Sequence, residues 1–340
     1  MPVLIERSRD AHDVVCGGFM GPDAITLLKR LRVDPALLGA RPITRVRLIA
    51  GERIVETELP FRAAGLSRRT LDAALIEQAI AEGATIERGV TVRHADPDNY
   101  CLHLGDGAVL GGDALFLATG KHEVRGLARP SSAMPADPAL GLRIGLDASP
   151  ALTAALGGVV ELHLFRGGYA GLLLQEDGRA NLCLSVAQSR LAEAGGQPDG
   201  LIGALSREAP LLADRLWAAG GRDPWSSVAR IPYGWRQPEG RPNIYRLGDQ
   251  GAVIGSLVGD GIAMALSGAM HAVSSHFRDG AEASGNWQRD FYRRTARPVR
   301  TASALKAIAE RPWAASLMLS VLRLSPALLR WAARATRIGN

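Results

Sequence analysis

At 340 residues, with 47% hydrophobic and 22% charged residues, the chain has the composition of a globular protein and the length for two domains. Its net charge of +6 comes mainly from arginine, but no basic run carries interleaved aromatic residues, which argues against a nucleic-acid partner. Its three cysteines are far apart and its seven histidines lack metal-site spacing, which argues against a disulfide framework and against a bound metal.

The first predicted element is a strand over residues 2–7 that contains the acid Glu6 near its end. In a dinucleotide-binding βαβ unit the second strand ends on such an acid, which holds the adenosine ribose. The alternative is an ordinary surface acid. In that unit the acid follows a G-x-G-x-x-G turn by about 20 residues, yet only five residues precede Glu6. We therefore expect the first strand and the phosphate turn to be encoded upstream of Met1; otherwise the chain is a remnant of such a unit.

A tight turn at Cys16, Gly17 and Gly18 comes next. Its thiol is either a small buried apolar group or a ligand contact. An amphipathic helix is predicted over residues 23–31. Residues 43–59 alternate apolar and polar side chains on both sides of a Gly-Glu turn, which is the pattern of a β-hairpin.

Ser67 is the predicted N-cap of a helix that ends at Gly83. Arg68, in its first turn, opposes the helix dipole and is well placed only beside an anion. Strands of a parallel sheet are predicted over residues 85–92 and 113–120, and the second ends on Thr-Gly. Further strands separated by turns predict an antiparallel sheet with one wet face, the floor of a substrate site, over residues 142–146, 159–165, 169–175 and 179–187.

The segment over residues 243–269 combines two signals of a binding site. A short strand closes on Gly248 and Asp249, and an acid at a strand end can accept hydrogen bonds from a ligand's hydroxyls. A glycine-rich turn then opens a helix near Gly261, whose first amides can bind a flat or anionic group. An ordinary buried turn and helix is the alternative.

After Trp287 the chain is predicted to be helical, and Arg323, Arg330, Arg334 and Arg337 fall on one helix face. Packing of this region on the core is the first interpretation, and contact of a C-terminal helix with a membrane surface is the second. No run of about 18 apolar residues and no signal peptide is recognisable. We expect a cytoplasmic protein, peripheral to a membrane at most.

Four dispersed motifs, in this order, resemble those of FAD-dependent oxidoreductases in the broad family of the geranylgeranyl reductases and para-hydroxybenzoate hydroxylase. They are the Cys-Gly turn at Cys16, the R-x-x-L-D run from Arg68, the Ala-Thr-Gly strand end at Gly120, and the Gly-Asp turn at Asp249 with the glycines after it. The resemblance runs from Val3 to about residue 275.

The resemblance implies FAD as the cofactor, with NAD(P)H open as its reductant. In the family, the acid corresponding to Asp249 holds the ribityl chain, the helix start at Gly261 meets the edge of the flavin ring, and the arginine corresponding to Arg68 approaches the flavin nucleotide. Cys16 or Tyr169 could donate a proton to the substrate. The implied flavin-binding residues are Glu6, Arg7, Cys16, Gly17, Gly18, Arg68, Thr119, Gly120, Gly248, Asp249, Gly259, Gly261 and Ile262.

The implied fold class is α/β, with a Rossmann-like FAD-binding domain that is incomplete at its N-terminus, an antiparallel β substrate domain and a helical tail. The FAD-binding domain takes residues 1–127, with the hairpin over 43–59 joining the substrate sheet, and residues 239–280. The substrate domain takes residues 128–238 and the tail residues 281–340.

The implied activity is reduction of a carbon–carbon double bond in an apolar, isoprenoid- or polyketide-like substrate by hydride transfer from flavin N5. Thr119-Gly120 departs from the Asp-Gly of aromatic hydroxylases, which favours the reductase. Gly171 replaces the tryptophan of the reductases' Tyr-x-Trp-x-Phe-Pro motif, so the geranylgeranyl substrate does not carry over. Hydroxylation with the same flavin is the alternative activity, and a truncated, non-catalytic remnant is the alternative of another class.

Overall fold

The computed structural model of the chain describes residues 1–325 and Arg337. Its helices are α1 (Pro22–Arg30), α2 (Arg68–Ala81), α3 (Pro150–Leu156), α4 (Gln188–Glu193), α5 (Pro198–Glu208), α6 (Pro210–Trp217), α7 (Gly261–Asp279), α8 (Ser284–Arg294), α9 (Ala296–Ala309) and α10 (Pro312–Leu324). Its strands are β1 (Val3–Glu6), β2 (Phe19–Met20), β3 (Arg41–Ala50), β4 (Arg53–Gly65), β5 (Thr85–Arg88), β6 (Val92–Asp96), β7 (Cys101–Leu104), β8 (Val109–Gly111), β9 (Leu115–Leu117), β10 (Ala139–Ala148), β11 (Val159–Phe165), β12 (Gly168–Leu174), β13 (Ala180–Ala187), β14 (Ala219–Arg222), β15 (Ser226–Ile231) and β16 (Ile244–Arg246). The chain is a mixed α/β protein, as predicted.

Two pairs of short parallel strands form the part of the fold in which nucleotide binding is predicted. β1 pairs with β5, and β16 pairs with β9. The predicted strand over residues 85–92 is divided between β5 and β6, because Gly89, at φ +76°, turns the chain after β5. Within the described residues the two pairs are separate sheets.

A nine-stranded sheet builds the second part of the fold, in the order β14-β10-β13-β12-β11-β3-β4-β2, with β15 beside β10. Strands β10 to β13 confirm the four predicted segments, and the pairs β10–β13, β13–β12 and β12–β11 are antiparallel. The predicted hairpin is β3–β4. It joins this sheet because β3 pairs in parallel with β11.

The two faces of this sheet differ in chemistry. Because side chains alternate along a strand, Leu182 and Leu184 of β13 point to the back face, where α3, α5 and α6 cover a leucine-rich core. Each fully buried leucine there contributes about 2 kcal/mol. Cys183 and Ser185 point to the opposite side, called the front face below. The helices therefore close the back of the sheet and leave the front face to the loops that follow β9 and β16.

A small antiparallel sheet of β6, β7 and β8 lies beside the second parallel pair. Ala95 of β6 and Leu102 of β7 pack with Leu117 of β9 and Ile244 of β16 in one apolar cluster. α7 runs between α1 and α8 and connects the nucleotide part to the C-terminal helices.

Helices α8, α9 and α10 confirm the helical region, and Leu319 of α10 packs on the core of the β3–β4 hairpin, as core packing requires. Arg330 and Arg334, part of the predicted basic helix face, lie outside the described residues. The guanidinium of Arg337 pairs with Asp23 at 3.2 Å. In the described part of the chain, no helix combines the length and hydropathy needed to cross a membrane.

Candidate active site

The predicted Gly-Asp turn follows β16 directly as a short 3-10 turn, in which Gly248 has φ +53°. The Asp249 carboxylate pairs with the Lys121 ammonium, with 2.8 Å between Oδ2 and Nζ. Burial lowers the pKa of Lys121, but the carboxylate of Asp249 and the phenol of Tyr233 raise it more, so that pKa lies above its ordinary value. Lys121 therefore carries its positive charge at neutral pH.

The turns after β9 and β16 are tied to each other by hydrogen bonds. The carbonyl of Gly120 accepts from Arg129 Nη2 at 2.8 Å and from Gln250 Nε2 at 2.9 Å. The carbonyl of His122 accepts from the same Gln250 amide and from the hydroxyl of Thr119, both at 2.8 Å. The carboxyl ends of these parallel strands thus meet at one edge, which is where open α/β sheets bind ligands.

The end of β1 lies near this edge. Arg7 is close enough to His122 that, after burial, it is the next largest cause of the lowered pKa of that imidazole. Glu6 accepts a hydrogen bond from the amide of Ser8 at 2.7 Å. The two residues predicted to hold the nucleotide from β1 therefore lie near the loop that carries Thr119 and Lys121.

The glycine-rich turn before α7 requires its glycine. Gly259 has φ +73°, and a Cβ there would lie 2.5 Å from the ring of Phe19. α7 begins at Gly261, and its N-terminus has no side-chain cap hydrogen bond in the described structure. The first amides of α7, including those of Gly261 and Ile262, are therefore donors toward the space in front of the helix.

The Cys-Gly-Gly turn sits on the front face of the large sheet. Asn181 Nδ2, on β13, donates to the carbonyls of Cys16 at 3.0 Å and Gly17 at 2.9 Å. Gly18 has φ +71°, and its amide donates to the Cys16 sulfur at 3.5 Å. A Cβ at Gly17 would meet no atom within 4 Å, so the space beside the turn is open.

Arg68 lies beside the Cys16 thiol at the start of α2. Its guanidinium donates to both carboxylate oxygens of Asp72, at 2.9 and 2.8 Å. The anion that this first-turn arginine requires is therefore supplied within α2, and a flavin contact for Arg68 stays a prediction. The predicted cap is confirmed, because the Ser67 hydroxyl accepts from the amide of Thr70 at 3.1 Å.

Three hydroxyl groups meet over the front face, and we call Tyr169, Tyr233 and Ser256 the hydroxyl cluster. The Ser256 hydroxyl lies 2.5 Å from the phenol oxygen of Tyr169 and 2.8 Å from that of Tyr233. Ser185 lies beside both phenols. Burial raises the pKa of both tyrosines, so both keep their protons at neutral pH.

Cys183 lies between the two predicted proton donors, because it interacts with Cys16 on one side and with Tyr169 on the other. Burial is the main cause that raises the pKa of the Cys183 thiol to about 12. The guanidinium of Arg143, next to it on β10, pairs with the Asp13 carboxylate at 2.8 Å. The front face is therefore lined by polar and ionic groups.

The site also contains residues that the sequence did not single out: Lys121, Asn181, Cys183, Ser185, Tyr233 and Ser256. Alternation along β13 could have indicated Cys183 and the residues that share its face. Lys121 and Ser256 have no such local signal, since their partners Asp249 and Tyr169 are 128 and 87 residues away in the chain.

No protein-family model matches the chain, and no curated protein matches it in sequence. Solved structures match its fold. PqsL of P. aeruginosa, described as a probable FAD-dependent monooxygenase, is 16% identical, with a TM-score of 0.66 over 92% of this chain and 91% of PqsL. The flavin-dependent halogenase CmlS is 18% identical, with a TM-score of 0.71 over 88% of this chain and 58% of CmlS. The flavin-dependent brominase Bmp2 is 12% identical, with a TM-score of 0.71 over 98% of this chain and 86% of Bmp2.

Identities this low carry the architecture and nothing finer. They confirm the predicted α/β fold of a flavin enzyme, whereas the likeness to geranylgeranyl reductases is not confirmed. The neighbours named here fit the hydroxylase alternative better than the reductase interpretation. The chain therefore has the fold of flavin-dependent monooxygenases and halogenases.

Proposed function

We propose that this chain is a FAD-dependent oxidoreductase of the monooxygenase type, with the flavin ring between the Asp249 turn and the front face. One observation carries the proposal: the Asp249 turn, the start of α7 and the Cys16 turn converge on open space. A Cβ at Gly17 or at Gly120 would meet no atom within 4 Å, so both loops leave room for a flat group. Donors and acceptors for a polar ring edge and for hydroxyls surround that room.

The residues present fit FAD. Asp249 would accept hydrogen bonds from the ribityl hydroxyls, and the amides of Gly261 and Ile262 would donate to the carbonyl edge of the ring. Glu6 would accept from the adenosine ribose. When bound, FAD supplies two-electron redox chemistry and, once reduced, reaction with oxygen.

The hydroxyl cluster and Lys121 supply what the protein itself adds. Tyr169 holds a proton at neutral pH and is aligned by Ser256, so it is a hydrogen-bond donor to a polar group of the substrate. The Lys121 ammonium would stabilise negative charge that develops at the front face, where few waters compete with it. Cys16 remains a second candidate proton donor, beside Arg68.

The chemistry of the front face supports hydroxylation over alkene reduction. Reduction of an isoprenoid-like alkene calls for an apolar wall, whereas this wall presents two phenols, the Cys183 thiol and the Arg143–Asp13 ion pair. A structure of PqsL holds 2-aminobenzoylacetate, a small aromatic compound with polar groups. A substrate of that kind would satisfy the hydroxyl cluster, and we propose it in place of an apolar one, with NAD(P)H as the reductant.

Flavin binding tests the proposal first. The chain is titrated with FAD, and the affinity is compared with those of Asp249→Ala and of Asp290→Ala, which removes an exposed acid paired only with Arg294 on α8. We expect Asp249→Ala to weaken FAD by roughly 1.5–3 kcal/mol, the range for hydrogen bonds to a charged group. Asp290→Ala should change nothing. A correctly folded chain that takes up no FAD would favour the non-catalytic remnant.

Oxygen labelling tests the reaction. The FAD-loaded chain, with NADPH, is incubated under labelled dioxygen with 2-aminobenzoylacetate and related aromatic amines and acids. A parallel sample is incubated without oxygen with a geranylgeranyl alkene. We expect product that contains one labelled oxygen atom in the first sample. Reduced alkene in the oxygen-free sample, with no labelled product in the other, would restore the reductase hypothesis.

A further inference from the structure

The small sheet of β6, β7 and β8 carries a second cluster of chemically active side chains. Across the β6–β7 pair, His94 faces His103 and Asp96 faces Cys101. Alternation puts the intervening Ala95 and Leu102 on the opposite side, in the apolar cluster with β9 and β16. A two-by-two array of His, Asp, Cys and His therefore occupies one face of the hairpin, in the pattern H-x-D-x4-C-x-H.

The distances in this array suit one metal ion. One ligand atom each of Asp96, Cys101 and His103 lies within 4.8 Å of the others. The Cys101 sulfur is 3.8 Å from His103 Nε2. A tetrahedral zinc ion with ordinary Zn–S and Zn–N bonds holds two such atoms about 3.5 Å apart, so the observed pair is almost at bridging distance. Cysteine, imidazole and carboxylate are the three side-chain types that zinc uses.

Two further features support a site rather than a chance contact. The Asp96 carboxylate accepts from the amides of Asp98 and Asn99, at 3.0 and 3.1 Å, which fixes its orientation and leaves lone pairs for an ion. The buried Nδ1 of His94 has no hydrogen-bond partner, although its ring centroid is 5.6 Å from that of His103. Buried imidazole nitrogens are normally bonded, so this one is free to bind after a small rotation of the ring.

We propose that Asp96, Cys101 and His103 form a binding site for a divalent zinc-like transition-metal ion, with His94 or a water molecule in the fourth position. The site is separate from the front face and does not depend on the proposed flavin chemistry. Asp96 and a Cys101 thiolate together balance the charge of a divalent cation, and the thiol proton is released on binding.

An ion here would bridge β6 and β7. That hairpin packs behind β9 through Ala95 and Leu102, and the Ala95 amide donates to the carbonyl of Arg125 at 2.8 Å. Arg125 belongs to the loop that also carries Lys121. The ion would therefore stabilise the support of that loop, and bound metal should raise the melting temperature.

Cobalt is the probe, because its spectrum reports the ligands. The full-length chain, reduced and stripped of metal, is titrated with Co²⁺. We expect one ion per chain, visible bands of a four-coordinate site and thiolate-to-cobalt charge-transfer absorption in the near ultraviolet, all displaced by Zn²⁺. Cys101→Ser should lose the charge-transfer band, and His103→Ala should weaken binding by at least about tenfold, since even outer-shell losses cost that much. Cys16→Ser, a thiol outside the cluster, should keep both signals.

The variants are checked for native circular dichroism before titration, and His103→Ala serves if Cys101→Ser does not fold. An increase in melting temperature with Zn²⁺ should appear in the wild-type chain and in Cys16→Ser, and be lost in His103→Ala. Wild-type chain that binds no Co²⁺, or a charge-transfer band that persists in folded Cys101→Ser, would overturn the proposal.

Discussion

The most strongly determined prediction concerns the buried acid Glu161 on β11, which anchors the back of the large sheet. Its side chain has no exposed surface, and its carboxylate pairs with Arg47 of β3, with Arg215 of α6 and, at 3.2 Å, with His163 Nε2. Burial alone would raise the pKa of Glu161, but His163 and the arginines lower it from 4.5 to about 2. Glu161→Gln keeps the shape of the side chain and removes the charge that two largely buried arginines require.

The size of the effect can be reached by two routes. The difference between a pKa of 4.5 and one of about 2 corresponds to about 3 kcal/mol of stability at neutral pH. Breaking a buried ion pair from one side costs about 3–5 kcal/mol in other proteins. We therefore expect Glu161→Gln to lower the free energy of unfolding by about 3 kcal/mol.

The measurement is urea denaturation at neutral pH of the wild-type chain, Glu161→Gln and the matched control Glu193→Gln. Glu193 also pairs with an arginine, Arg166, but about half of each side chain is exposed, so its loss should cost far less. Equal losses for the two variants would refute the idea that the buried cluster stabilises the sheet.

The pH dependence gives an independent check, with a definite sign. Because the pKa of Glu161 is lower in the folded than in the unfolded chain, its stabilisation is fully present above pH 4.5 and is lost as the pH falls through about 2. The difference between the wild-type chain and Glu161→Gln should therefore narrow from pH 4.5 downward. A difference that stays constant over that range would contradict the assigned cause.

Three further predictions follow from single sites. Glu176→Gln should lower the free energy of unfolding by about 1.5–3 kcal/mol in urea denaturation, because this carboxylate accepts from the Ser67 amide, the Ser67 hydroxyl and the Thr70 hydroxyl at the start of α2; a neutral result would mean that α2 starts without it. Cys183 should resist iodoacetamide at pH 8, as mass spectrometry would show, because its pKa of about 12 leaves almost no thiolate; fast labelling in the folded chain would contradict this. Gly259→Ala should lower the melting temperature, through about 1–3 kcal/mol of backbone strain and the contact with Phe19, and an unchanged melting temperature would mean that the turn before α7 adapts.

Local patterns were sufficient for most of the elements. The helix capped by Ser67, the β3–β4 hairpin and the four strands of the antiparallel sheet each depend on residues close in the chain, so their periodicity and turn residues identified them. The division of the predicted strand 85–92 was missed, because apolar alternation continues through Gly89 and only its positive φ shows the turn.

The candidate site was predicted unevenly for the same reason. Asp249 and the glycines before α7 stand in one short motif, and the sequence pointed to them. Lys121 was not selected, since a lysine after a Thr-Gly turn has no distinguishing pattern until Asp249 is placed 2.8 Å away.

Composition, periodicity and short motifs by themselves determined the α/β class, the flavin-type strand ends and the Cys16 turn. Only the tertiary structure decided which distant groups meet: the hydroxyl cluster, the Glu161 ion cluster and the Asp96–Cys101–His103 array. The physical reason is range. Backbone hydrogen bonding and side-chain alternation act over a few residues, whereas burial and charge pairing act through space between segments that no local pattern relates. Sheet register brought Cys101 opposite Asp96, and packing brought Tyr169 to Ser256.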